Sequence, residues 1–271
     1  MSQSEREPIA SPHNPRIKSA AKLHKRQERE RTGSIIIEGV RELSHALESG
    51  IVFEEVFCCH DLLDQENSAP VMQRIGERGI RLTTVGRKAF EKLAYREATG
   101  GLVAVARRPS RALEGLPEKD CPLYIVVDSV EKPGNLGALM RSADGAGATG
   151  VIITDPGTDL FNPNAIRSSL GTIFTMPNAM VEASLAIRWL KARKIAIIAT
   201  SPAAEALYTE ADFTRPCAIV VGSEDAGLGQ GWREASDRQI SIPMKGAADS
   251  LNVSVTAAIL LYEALRQRER P

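Results

Sequence analysis

The chain has 271 residues, of which 43% are hydrophobic, 25% charged and only 4% aromatic. That length supports one large core or two small ones built on Val, Ile, Leu and Ala, and no apolar run reaches the roughly 18–20 residues that cross a bilayer. The opening MSQSEREPIASPHN has no apolar stretch of the kind a secretory signal needs, so a cytoplasmic protein is expected.

The net charge of zero conceals a gradient: residues 1–115 carry 19 Lys/Arg against 16 Asp/Glu, and residues 116–271 carry 15 against 18. Seven basic and two acidic residues crowd into 12–31. Such a stretch suits phosphate, or else it is a solvated helix laced with i,i+4 pairs. The four cysteines (Cys58, Cys59, Cys121, Cys217) form no C-x-x-C pair, which excludes structural zinc and a disulfide framework. All four histidines lie in the first sixty residues, so no Ser–His–Asp or Cys–His unit is expected in the later, more enzyme-like part.

In chain order, residues 1–15 read as a loose tail and 16–31 as one basic helix. A strand at Ser34–Glu38, a helix at Val40–Leu47 and a strand at Ile51–Cys58 follow. Next come a helix at Val71–Gly79, a strand at Gly79–Val85, a short helix at Phe90–Leu93 and a strand at Gly100–Val105. The basic, Pro-containing stretch 108–119 reads as a linker. Beyond it strands are predicted at Leu123–Asp128, Gly150–Thr154, Lys194–Ala199, Cys217–Val221 and Gln239–Ile242. Helices are predicted at Asn135–Gly147, Val181–Ala192 and Ser250–Arg268. Val/Ile-rich strands without alternation, separated by helix-length segments, indicate an α/β fold with a mainly parallel sheet covered on both faces. Ligands of such sheets bind at the carboxyl ends of the strands, which points to the loops after Asp128, Ala199, Val221 and Ile242.

The common phosphate motifs are absent: Gly134-Asn135-Leu136-Gly137 is not G-x-G-x-x-G, and there is no G-x-x-x-x-G-K-[ST]. Gly222-Ser223-Glu224 lacks the G-x-S-x-G pattern of a nucleophile elbow. What remains is polar residues at strand ends and helix starts: Asn135, Arg141, Glu224, Ser250 and Asn252. Singly, Asn135 and Ser250 read as helix caps and Glu224 as a loop charge. Their recurrence at successive strand ends points to a site.

These segments resemble the SpoU/TrmH-type RNA ribose 2′-O-methyltransferases of the SPOUT superfamily. The resemblance rests on KPGNLGALMRSADGAGATGVII (132–153), IVVGSEDAGLG (219–229) and ISIPMKGAADSLNVSVTAAILLYE (240–263), with NPNAIRSSLGTIFTMP (162–177) between them. Upstream, NPRIK (14–18) and SIIIEGVREL (34–43) are similar to the substrate-binding module often joined to such enzymes. The resemblance implies a C-terminal deep trefoil knot, an exception to the rule against threaded chains, a bent S-adenosylmethionine held in the knot loops, and a homodimer. It further implies a basic N-terminal arm at 1–33, a small α/β RNA-binding module at 34–107, a linker at 108–119 and a catalytic domain at 120–271.

By motif position, the resemblance makes Arg141, Asn135, Glu224, Ser250 and Asn252 the catalytic residues. Thr200, Ser201, Gly222, Ile242, Met244 and Leu251 become cofactor-binding, and no metal is implied. Arg16, Lys18, Lys22, Arg26, Arg41 and Arg167 are the expected RNA contacts, Arg167 matching the place where a partner subunit's arginine commonly helps bind RNA or cofactor. The implied substrate is 23S ribosomal RNA; a tRNA substrate, or a catalytically silent RNA-binding protein of the same fold, are the alternatives.

Overall fold

The computed structural model describes residues 7–95, 99–223 and 227–269. It divides into two compact units, one made of the chain through Pro109 together with Phe161–Thr175, the other of Ser110–Leu160 together with Met176 onward.

The first unit opens with α1 (Pro15–Lys22) and α2 (Arg26–Thr32), where one basic helix is predicted. Asn14 accepts a hydrogen bond from the Arg16 amide (2.9 Å) and Pro15 takes the first helical position, so α1 starts sharply. It stops because its apolar stripe, Ile17, Ala20 and Leu23, ends there, and because Arg29 turns inward. The buried Arg29 guanidinium donates to the carbonyls of Leu23 (2.7 Å) and His24 (2.9 Å), oxygens that a continuous helix would have used.

Next come β1 (Ser34–Glu38), α3 (Val40–Glu48), β2 (Phe53–Cys58), α4 (Gln65–Glu77), β3 (Leu82–Thr84), α5 (Arg87–Leu93) and β4 (Leu102–Arg107). The sheet order is β1-β4-β2-β3, with β4 antiparallel to both neighbours and β2 parallel to β3. The predicted loose tail is partly bound: the Ile9 amide donates to Thr84 O (3.0 Å) and the Gly86 amide to Ile9 O (3.0 Å). Helix α4 begins well before the predicted Val71, because Asp64 caps it and the helix tolerates Pro70 at the loss of one backbone bond.

The second unit holds β5 (Leu123–Asp128), α6 (Pro133–Gly145) and β6 (Gly150–Thr154). Two short helices of the first unit follow, α7 (Pro163–Ser168) and α8 (Thr172–Thr175), with Phe161 and Phe174 stacked at 6.2 Å. The second unit resumes with β7 (Asn178–Val181), α9 (Ala183–Ala192), β8 (Ala196–Thr200), β9 (Cys217–Val221), α10 (Gln230–Ala235), β10 (Arg238–Ile240) and α11 (Val253–Arg268). The six strands run in the order β10-β8-β9-β5-β6-β7, and every pairing is parallel. Tyr124, Val126, Ile152, Ala218 and Val220 bury one face with Leu190 of α9 and Trp232 of α10, while α6 and α11 pack together and reach β6 and β9. Burial on both faces explains the unalternating Val/Ile runs.

Four further expectations shift. Val181 ends a short strand rather than opening a helix, since Asn178–Val181 offers too few β-branched residues to announce itself. The stretch read as a linker carries buried Leu113 and Leu116, and its Arg111 carbonyl accepts from the Met180 amide (3.0 Å). Helix α11 starts at Val253, capped by Asn252 rather than Ser250. Asn135 is no cap either: Lys132 holds that place and Pro133 the first helical position of α6. Among the described residues no helix is long and apolar enough to cross a membrane.

Candidate active site

At the carboxyl edge of the parallel sheet a cavity of about 540 Å³ opens among the loops after β8, β9 and β10, a size typical of small-molecule sites. All six residues predicted to bind cofactor line it: Thr200, Ser201, Gly222, Ile242, Met244 and Leu251. Ser250, predicted as catalytic, is there as well, beside apolar Val221, Leu228 and Val253.

Each wall has a local cause. Thr200 ends β8 and its hydroxyl donates to Val220 O (3.0 Å), holding β8 to β9 at the rim. The Ser201 amide donates to Ile240 O (2.9 Å), continuing the β8–β10 ladder. Ser241 then pairs with the next loop, its amide donating to Ala206 O (2.9 Å) and its carbonyl accepting from the Tyr208 amide (2.9 Å).

After β9 the chain doubles back: Ser223 and Gly227 exchange amide–carbonyl bonds of 3.1 Å each. Gly227 has φ +65°, and a Cβ on Gly222 would fall 2.3 Å from the Gly227 carbonyl. Gly222 is thus required by the loop's packing on itself. Glu224, predicted inside this loop, lies outside the described residues.

Behind the loop stands Asp128, the last residue of β5 and only 3% exposed. One carboxylate oxygen accepts from the Thr154 hydroxyl at the end of β6 (2.7 Å), the other from the Gly229 amide (3.1 Å). Asp128 therefore fastens the cavity wall to the centre of the sheet. Sequence reasoning missed it, although an acid closing an otherwise apolar strand was a visible signal.

The remaining predicted catalytic residues are partly assembled. Asn252 donates through Nδ2 to Oδ1 of Asn135 (3.2 Å), joining the starts of α11 and α6 across 117 positions. Arg141 does not join them. Six residues beyond Asn135 on α6, it stands about 9 Å farther along the axis and is exposed, with no hydrogen bond or ion pair among the described residues.

Of the predicted RNA contacts, Lys18, Lys22, Arg26, Arg41 and Arg167 are exposed, Arg26 paired with Glu30 (2.7 Å). Arg16 is held by Glu55 and donates to the Thr83 hydroxyl (2.6 Å), so its charge is used within the fold. Arg167 belongs to the first unit, where it and Arg41 lie near Glu42. Burial pushes the Glu42 carboxyl above the ordinary carboxylate range, against the pull of these arginines.

The SpoU rRNA Methylase family profile matches residues 122–262, and that of the MRM3-like substrate binding domain matches residues 14–104. The chain is 33% identical, over 92% of its length and 88% of the relative's, to a 23S rRNA (uridine(2479)-2′-O)-methyltransferase of Streptomyces viridochromogenes. Among solved structures it is similar to an RNA 2′-O ribose methyltransferase (43% identity, TM-score 0.85, 97% of this chain and 99% of that one). It is also similar to an AdoMet-bound rRNA methyltransferase of Sinorhizobium meliloti (28% identity, TM-score 0.86, 96% and 97%).

Proposed function

The chain belongs to the SpoU rRNA methylase family, and from that premise we propose that it methylates the ribose 2′-hydroxyl of a nucleotide in 23S ribosomal RNA, using S-adenosylmethionine. The observation that carries this is the cavity, which gathers Thr200, Ser201, Gly222, Ile242, Met244 and Leu251 at the carboxyl edge of the sheet. Its apolar walls suit an adenine ring, and Ser201, Ser223 and Ser250 supply polar groups for the rest of the cofactor. When bound, S-adenosylmethionine supplies an electrophilic methyl group.

The chain's own residues have to present the 2′-oxygen in line with that group, where alignment contributes most of the rate. An arginine side chain offers donors and no acceptor, so Arg141 acts as a donor rather than as a base. Its guanidinium holds the 2′-oxygen and an adjacent phosphate together, and the phosphate takes the proton. Asn135, joined to Asn252, and Ser250 at the cavity rim orient the acceptor; Glu224 belongs to the same group by motif position. Lys18, Lys22, Arg26, Arg41 and Arg167 meet RNA phosphates.

We further propose that the C-terminal segment is threaded as a trefoil knot. The loop after β8 supports this: its residues 206–208 pair with Ser241 on one side. On the other, Gln267 of α11 donates to Ala211 O (3.0 Å) and Arg268 to Phe213 O (2.8 Å). A homodimer is supported by Val255 and Tyr262, large side chains seven residues apart on α11 that stand exposed. An enzyme that modifies ribosomal RNA is expected to act in the cytoplasm.

The test is to incubate the protein with methyl-labelled S-adenosylmethionine and 23S rRNA, digest to nucleosides and identify the labelled product by mass spectrometry. A 2′-O-methyl nucleoside is expected. A base-methylated nucleoside, or no transfer to rRNA, overturns the proposal.

A further inference from the structure

In the first unit α1 and α5 lie against each other, and their final apolar residues, Leu23 and Leu93, are both buried. The residues that follow each helix therefore emerge together at one rim. His24 follows α1, and its Nε2 lies 2.7 Å from Leu93 O, capping the end of α5. Tyr95 follows α5, and its amide donates to Oε2 of Glu38 (3.0 Å) at the end of β1. The other Glu38 oxygen lies 3.6 Å from His24 Nδ1. Three segments distant in sequence are thus tied at one point, fixing the backbone from which the Tyr95 side chain projects.

That side chain is 66% exposed, the most exposed of the large hydrophobic residues described. Among the described residues, the His24 ring is its aromatic neighbour, at 5.6 Å and tilted by 40°. The surroundings are basic. Lys22 and Lys25 flank His24, Lys92 lies in the last turn of α5, and all three are exposed without an ion pair among the described residues. Among the described residues, Glu28 pairs with Arg31, Glu91 with Arg87, and Glu38 with His24 and the Tyr95 amide.

A firmly based aromatic face, with exposed lysines on the segments that end beside it, offers little to an apolar protein surface. It fits an unstacked nucleobase whose flanking phosphates need cations, the combination by which proteins hold single-stranded RNA. We propose that Tyr95, backed by His24, is a stacking platform for an unpaired base of the substrate RNA, with Lys22, Lys25 and Lys92 on the adjoining phosphates. The platform rests on the RNA-methyltransferase function above, and its role is recognition rather than chemistry.

The test uses the full chain and a fluorescein-labelled single-stranded RNA of mixed sequence, beside an abasic ribose-phosphate chain of equal length. Anisotropy is measured over a range of salt. Tyr95→Ala should weaken binding of the RNA by roughly tenfold, as for the loss of one stacked base, and leave binding of the abasic chain unchanged. Tyr95→Trp should restore the RNA affinity. Lys25→Ala should flatten the dependence of log affinity on log salt by about one phosphate contact, whereas Tyr95→Ala should not. Cofactor affinity should be the same in all variants.

Equal loss on both probes, or Tyr95→Ala binding RNA like wild type, overturns the platform while leaving the enzymatic function standing. Failure of the wild-type chain to bind any RNA overturns both. A shift of Tyr95→Ala from dimer to monomer in light scattering, with RNA affinity unchanged, assigns the ring to self-association and likewise refutes the platform.

Discussion

Asp128 offers the most direct test of how the cavity is held open. Replacing it with alanine leaves the buried Thr154 hydroxyl without its acceptor and releases the Gly229 amide, which lies on an exposed residue. The orphaned hydroxyl costs about 1–3 kcal/mol, partly offset because a buried acidic group disappears with the substitution. If the loop recovers by moving its amide to solvent, cofactor binding must pull it back, at about 1–2 kcal/mol for one bond, or roughly a 5–30-fold rise in Kd. Asparagine should behave differently. It is isosteric, its Oδ1 can accept from Gly229, and its amide can donate to Thr154, whose hydroxyl turns to become the acceptor. Calorimetric titration with S-adenosylmethionine, alongside circular dichroism, should therefore rank wild type and Asp128→Asn together and Asp128→Ala well below. If Asp128→Ala binds as tightly as wild type, the carboxylate does not hold the loop. If Asp128→Asn is as weak as Asp128→Ala, the charge matters and the hydrogen bonds do not.

Arg141→Ala should lower turnover by about 10²–10⁴-fold, as for lost electrostatic or acid–base assistance, with cofactor affinity unchanged by calorimetry; Arg141→Lys should recover little, because a point charge cannot span oxygen and phosphate as the planar fork does. Gly222→Ala puts a methyl against the Gly227 carbonyl, so the loop must shift; loss of S-adenosylmethionine binding with an unaltered far-ultraviolet spectrum is expected, and normal affinity would contradict the packing. Burial raises the Glu42 carboxyl, so its contribution to stability is full below the unfolded carboxylate range and lost as pH rises through the folded value. Glu42→Gln should accordingly melt above wild type at pH 7, with the advantage vanishing as the pH falls below the carboxylate range.

The regions legible in the sequence were those where one physical demand dominates. Strands at Leu123–Asp128, Gly150–Thr154 and Cys217–Val221 lie where expected, since a strand covered on both faces must be apolar throughout. β7 was illegible because Asn178 and Met180 carry no such pattern. The basic helix over 16–31 was misread because an arginine in sequence looks solvated, and only the fold shows Arg29 turned onto two carbonyls. At the site, the cavity-lining residues could be anticipated because their motifs are contiguous stretches of chain. The Asp128–Gly229 bond spans 101 positions, and nothing local to either residue announces the other. Arg141 illustrates the opposite limit: its place on α6 was predictable, but six residues at 100° each turn it away from the side that Asn135 presents to Asn252.

Placement of Phe161–Thr175 with the first unit bears on how the protein comes into being. Translation delivers residues in order, so the leading sheet is fully synthesised by Arg107, yet the last piece of its own unit is made only after β5, α6 and β6 have emerged. Neither unit can finish while the other has not begun. The cavity comes later still, since its lining runs from Thr200 to Thr256. A ribosome paused before Thr200 would therefore display exposed lysines and arginines able to meet RNA, and nowhere to keep a methyl donor.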